Sequence, residues 1–236
     1  MTEAIIAMAS VLTDPYLLLL ILVTTVVGVI IGALPGLGAT TGAALLLPFV
    51  ESLLASAAIG LDRLDAIAFG CGPGSFTGLR IAAGMTQGLA FGANLPVIPV
   101  STLAALAQGT VVQHGVRAVL AALDARMKEV YWGAFRCDDT GLVDPLGGEA
   151  VSVPQRVRVP VADHWVGAGS GWDSYADVLA TQCDMASVDI YRNQKPHAAD
   201  VARLAARAFA QGNAVAAEQA APVYLRDNVA DKPRQV

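Results

Sequence analysis

Polar positions are nearly missing from the start of the chain. Pro15 to Val50 runs 36 residues without a charged side chain. Within it, Tyr16–Leu34 (YLLLLILVTTVVGVIIGAL) is apolar on every face and long enough to cross a hydrocarbon core as a helix. A buried core helix would be shorter, and a secretory leader would carry a basic start where Glu3 stands. Pro35 and the glycines around it predict a break or kink in any helix that continues there. From residue 51 the pattern becomes short and periodic. Glu51–Ala58 reads as the end of an amphipathic helix, and Leu61–Gly70 as a turn entering a short strand. Cys71–Gly78 is a loop, Thr77–Phe91 a helix ended by Gly92-Ala93-Asn94, and Val97–Val100 a strand. Ser101 caps a helix over Thr102–Gln108. Val116–Leu123 and the β-branched and aromatic Glu129–Phe135 are strands. Loops follow from Gly141 to Pro160, then a short strand at His164–Gly167 and a flexible Gly-rich turn at Ala168–Trp172. Ala198–Ala210 has the period of an amphipathic helix, and Pro222–Asn228 is a terminal segment. The order strand–helix–strand–helix–strand–strand predicts a mixed α/β sheet.

Charge divides the chain the same way. Residues 1–50 carry only Glu3 and Asp14, and the first basic residue is Arg63. The net charge is −5, and no run of Lys and Arg is interleaved with aromatics. That speaks against this chain gripping a nucleic-acid backbone by itself. Cys71, Cys137 and Cys183 are odd in number and far apart, which fits neither a disulfide framework nor a zinc site and suits a reducing compartment. His114, His164 and His197 are isolated, so no metal-holding pair exists, and no Gly-x-Ser-x-Gly elbow presents a serine nucleophile.

Four stretches bear on chemistry. Gly70–Arg80 (GCGPGSFTGLR) follows a strand and opens a helix, where an anion can rest on free amides. It has no lysine before its Ser or Thr, and Thr77 stands where a dinucleotide fingerprint has its third glycine. Taken alone, a phosphate turn at Gly72, Gly74, Ser75 and Thr77 and a plain tight turn fit equally well. In the following helix Gly84, Gly88 and Gly92 recur every fourth residue beside Ile81, Met85 and Leu89. Three glycines cost a helix about 1 kcal/mol each relative to alanine, which points to close approach of another helix or of the chain's own sheet. Asp124 is a potential acid or base, but with Arg126 it better shapes a turn between strands. Gly167–Trp172 is a turn anchored by Trp172 rather than a nucleotide contact.

The runs GPGSFTGLRIA (Gly72–Ala82) and DARMKEVYW (Asp124–Trp132), the Gly-x-Gly-Trp at Gly169–Trp172 and PVYLRDNVA (Pro222–Ala230) stand in the order and spacing of the TsaB family, which residues 47–236 resemble. The resemblance implies an actin-like, RNase H-like fold of two lobes, here a truncated one over 47–115 and a second over 116–236. It implies a non-catalytic subunit that pairs with the related subunit TsaD in making threonylcarbamoyladenosine in tRNA. TsaE would join through that complex, tRNA would be reached only indirectly, and a homodimer is the other pairing. The implied partner interface comprises Leu53, Leu54, Phe76, Arg80, Ile81, Gly84, Met85 and Gly88. No cofactor would be held firmly, with ATP or ADP placed at the junction with TsaD. Catalytic and metal residues are expected to be absent, since TsaD carries a metal-binding histidine motif that this sequence lacks. Family chains begin with strands that are missing here. In their place, Gly32–Gly42 (GALPGLGATTG) within residues 1–46 resembles the start of the membrane subunit of tripartite tricarboxylate transporters, the TctA family. The family resemblance implies a cytoplasmic protein, and the segment at 16–34 a membrane-associated one. A membrane-tethered module, an ATP-binding actin-like enzyme and a non-functional fusion are the competing readings.

Overall fold

A computed structural model of the chain describes residues 37–160, 164–183 and 189–226, with side chains from residue 47 onward. The chain divides into two units, residues 1–53 and 54–236. The apolar segment Tyr16–Leu34 lies outside the described residues, and no helix among those described is long and apolar enough to cross a membrane. The first described helix, α1 (Leu37–Ala57), holds Gly38, Gly42 and Pro48 within it. Of the glycines near Pro35, Gly38 and Gly42 are therefore helical, Pro35 and Gly36 lie outside the described residues, and the helix runs unbroken past the change in composition near Pro48. It ends at Ala58, whose φ of +54° leaves the helical region.

The second unit contains an α/β arrangement with two sheets. A 3₁₀ turn at Leu61–Arg63 leads into β1 (Ile67–Gly72), which pairs in parallel with β2 (Val97–Ser101) through the helix α2 (Phe76–Ala93). Ile67 donates to the Pro96 carbonyl at 3.0 Å, so alternate β1 residues face β2 and the others face the opposite edge. No described strand pairs with that opposite edge. The Ser101 hydroxyl accepts from the amides of Leu103 and Ala104, both at 3.1 Å, and so starts α3 (Thr102–His114) as its cap.

The second sheet has the order β5-β4-β3-β7-β8, formed by β3 (Ala118–Arg126), β4 (Glu129–Cys137), β5 (Val143–Pro145), β7 (Val166–Ala168) and β8 (Asp189–Tyr191). A further strand, β6 (Ala150–Ser152), pairs with β4. β3 and β4 form an antiparallel hairpin, and β3 is parallel to β7. The run Ala118–Ala122 is buried throughout because both faces of β3 are covered. Val119 and Ala121 join a core with Leu103 and Leu106 of α3 and Leu204 of α5 (Ala198–Ala210). Leu120 and Ala122 face a second core with Trp132, Trp165 and Trp172, backed by α4 (Ser170–Gln182). The first core also takes in Ile98 and Val100 of β2, so it spans both sheets.

Gly167–Trp172 is not a flexible turn. A Cβ at Gly167 would press on the Trp172 ring, one at Gly171 would meet the Ala122 side chain, and one at Gly169 would strike the Ala122 carbonyl. Gly169 also has a φ of +102°, which suits glycine alone. These glycines let the start of α4 lie against β3, and Trp172 is fully buried with its indole N–H donating to the Leu120 carbonyl at 2.7 Å.

Candidate functional site

The sequence points to α2 and the loop before it. Leu79, Ala83, Thr86 and Ala90 are the buried positions of α2 and recur at helical spacing on one face toward the sheet. Gly84, Gly88 and Gly92 are exposed. An added Cβ at Gly88 or Gly92 would meet none of the described residues within 4 Å, so this chain's own sheet does not call for glycine at those two positions. Gly88, Leu89, Gly92 and Ala93 line an open groove of about 470 Å³, with Leu61 and Asp62 on its other side. Ile81 and Met85 are half-buried beside the glycines. Among the other expected interface positions, Leu54 is half-buried and Leu53 is 71% exposed.

In the loop, Gly72 has a φ of +117° and precedes Pro73 through a cis peptide bond. A Cβ there would lie 2.7 Å from the Val223 carbonyl, so the C-terminal segment closes over Gly72. Gly72 and Pro73 are buried, Gly74 is half-buried, and Ser75 and Thr77 are exposed. The Ser75 hydroxyl accepts from the Gly78 amide at 3.4 Å and caps α2 itself. What the loop leaves for an anion is the first amides of the helix.

The C-terminal segment ties this loop to the β3–β4 hairpin. Val223 donates its amide to the Cys71 carbonyl at 2.7 Å. The Tyr224 ring lies 5.5 Å from that of Phe76, and Arg80 donates to the Tyr224 hydroxyl at 3.3 Å. Arg226 donates to the Ala125 carbonyl at 3.0 Å and to the Glu129 carboxylate at 2.6 Å. Asp124 shapes the turn as expected, its carboxylate accepting from the Arg126 amide at 2.8 Å. No reading of the sequence singled out Glu149. It sits on the loop between β5 and β6 and accepts a hydrogen bond from the Ser101 hydroxyl. Burial pushes its carboxyl above the ordinary value of 4.5, against the lowering effect of that bond. Burial, and then the Glu149 charge, push the Cys71 thiol up to about 11, where it stays protonated. Among the described residues no group of three His, Cys, Asp or Glu is placed to hold a metal ion.

Residues 24–234 match the family model described as TsaD, tRNA N6-adenosine threonylcarbamoyltransferase. The match begins at residue 24, inside the apolar segment at 16–34. The chain is 42% identical over 193 residues to the tRNA threonylcarbamoyladenosine biosynthesis protein TsaB of Escherichia coli (strain K12), covering 79% of this chain and 81% of that one. It is 38% identical over 192 residues to TsaB of Haemophilus influenzae, covering 78% and 79%. The solved structure of YeaZ from Pseudomonas aeruginosa superposes with a TM-score of 0.72 at 48% identity, over 78% of this chain and 84% of that one. The family model carries the name of a transferase, and the relatives carry that of a biosynthesis protein, TsaB. Identity over four fifths of the relative's length is the closer criterion, and it agrees with the motifs read in the sequence: the chain belongs to the TsaB family.

Proposed function

We propose that this chain is a non-catalytic partner subunit in the formation of threonylcarbamoyladenosine in tRNA, and that it docks a threonylcarbamoyltransferase of the TsaD kind on the outer face of α2. The observation that carries this is the exposed face of Gly84, Gly88 and Gly92. Glycine in a helix costs about 1 kcal/mol relative to alanine, and none of the described residues lies within 4 Å of a Cβ added at Gly88 or Gly92. A second helix can approach backbone to backbone there, with Ile81, Met85 and Leu89 packing beside the seam. A second copy of the chain is the competing occupant of the same face, and TsaE would join through the assembled pair. The parallel β1–α2–β2 unit beside a β3–β4 hairpin sheet fits an actin-like, RNase H-like architecture. ATP or ADP belongs at the junction between the two subunits. Within this chain the loop at Gly72, Gly74, Ser75 and Thr77 offers amides without a lysine, and Ser75 is already committed to the cap.

The test is complementation in a TsaB-depleted bacterium, with the modified nucleoside in tRNA quantified by mass spectrometry. The full chain restores modification and co-purifies with the transferase. Gly88→Leu fills the seam and loses both. Restoration by Gly88→Leu at the wild-type level would overturn the assignment of this face.

A further inference from the structure

Three pieces of chain far apart in sequence meet at one exposed surface. Arg80 holds its guanidinium 3.9 Å from the centre of the Phe76 ring, and Tyr224 leans on the same ring. Two residues further on, a span of at most about 7 Å, Arg226 reaches the tip of the β3–β4 hairpin and contacts the Met127 sulfur at 3.6 Å. Phe76 is 55% exposed, Tyr224 45% and Met127 69%. Two of the four cations here have a carboxylate partner. Glu129 neutralises Arg226, and Arg126 has only Asp124 at 3.6 Å while 87% of its side chain is exposed. Arg80 and Lys128 make no ion pair among the described residues. The hairpin tip is also held in an unfavourable conformation: Arg126, Met127 and Lys128 have φ of +61°, +54° and +62°, the left-handed region that side chains other than those of glycine and asparagine avoid. Strain of this kind concentrates at functional surfaces.

We propose that this surface binds single-stranded RNA, with bases stacking on the Phe76–Tyr224 pair and phosphates against Arg80, Arg126 and Lys128. It adjoins the α2 seam, because Phe76 and Arg80 precede Gly84 on the same helix at the same four-residue spacing, but its chemistry differs. The groove offers glycine and aliphatic side chains, which suit a helix, whereas this surface offers flat rings, a thioether and exposed cations, on a chain of net charge −5. The linear sequence shows no basic stripe because the cations come from separate segments. The choice of RNA as the anionic partner rests on the tRNA-modification reading; the aromatic and cationic geometry does not.

The experiment is fluorescence anisotropy of the full chain with a short labelled single-stranded RNA of mixed A and U, over a salt series. The chain binds, with a slope of log affinity against log salt of about −2 for three phosphates. Arg126→Glu with Lys128→Glu weakens binding about tenfold and flattens that slope. Tyr224→Ser weakens it about fivefold with the slope kept. Arg156→Glu, an exposed charge change elsewhere, leaves it unaltered, and circular dichroism with thermal melts confirms that each variant folds. No binding by the wild type, or equal binding by the hairpin-tip and Arg156 variants, overturns the proposal. Loss of transferase capture by the hairpin-tip variant with RNA binding intact also overturns it and makes the surface a protein contact. RNA binding by a wild type that captures no transferase would remove the partner reading and leave this one standing.

Discussion

Glu149 shows how one side chain balances opposing effects. Burial disfavours its charge, and the Ser101 hydroxyl favours it by donating a hydrogen bond. Burial is the larger effect, so the folded carboxyl titrates above 4.5. A carboxyl raised in this way contributes stability that is fully present below its unfolded value and is lost as pH rises through its folded value. Glu149→Gln keeps an acceptor for Ser101 and removes the titration. Urea midpoints of the two proteins should therefore diverge in favour of the variant as pH rises above 4.5, and then run parallel. A wild type more stable than the variant at neutral pH would show that the bond to Ser101 outweighs burial. The same hydroxyl also caps α3, so this residue pair fastens the β5–β6 loop to the helix that supports both sheets.

At the scale of elements, α2 separates two demands that usually coincide. Gly88→Ala adds a methyl where none of the described residues lies within 4 Å, and alanine is about 1 kcal/mol better than glycine in a helix. The isolated chain should therefore melt several degrees higher. The methyl holds a docking helix further off, so capture of the transferase should weaken in the same variant. Opposite signs in the two measurements are what an interface glycine predicts, and a gain in both would remove α2 from the interface. The boundaries of α2 and α5 were legible from period and capping, α5 to the residue and α2 within two. α3 extends to His114 rather than Gln108 because tertiary contacts override the weak helix preference of Gly109, Thr110 and Val111, all of them buried. α4 was missed because Gly167, Gly169 and Gly171 resemble a flexible turn. Only their contacts with Trp172 and Ala122 show that each glycine makes room for close packing.

For the whole molecule, the candidate site depends on pairings that no local pattern contains. Phe76, Arg80 and the PVYLRDN segment each stood out as motif residues, but nothing in their spacing predicts that Arg80 and Tyr224 meet across 144 positions. The segment that joins them also joins the two sheets. Val223 bonds to Cys71 at the end of β1, and Arg226 bonds to Ala125 and Glu129 across the β3–β4 hairpin. The Arg226 side chain is only 17% exposed and that of Glu129 30%, so water replaces the lost bonds poorly. Arg226→Ala should cost about 2 kcal/mol, the scale of hydrogen bonds to a charged group, read as a fall in the urea midpoint. Hydrogen exchange should quicken at two places far apart in sequence, the loop at 71–75 and the hairpin tip at 126–129, because one clasp holds both. Arg226→Lys keeps the charge but not the planar guanidinium, whose Nη2 serves carbonyl and carboxylate while its Nη1 reaches the Met127 sulfur, so it should recover less than half of the loss. Quickening at the hairpin alone would mean that Val223 holds the loop without Arg226, and that the two sheets are joined by their shared core rather than by the C-terminal segment.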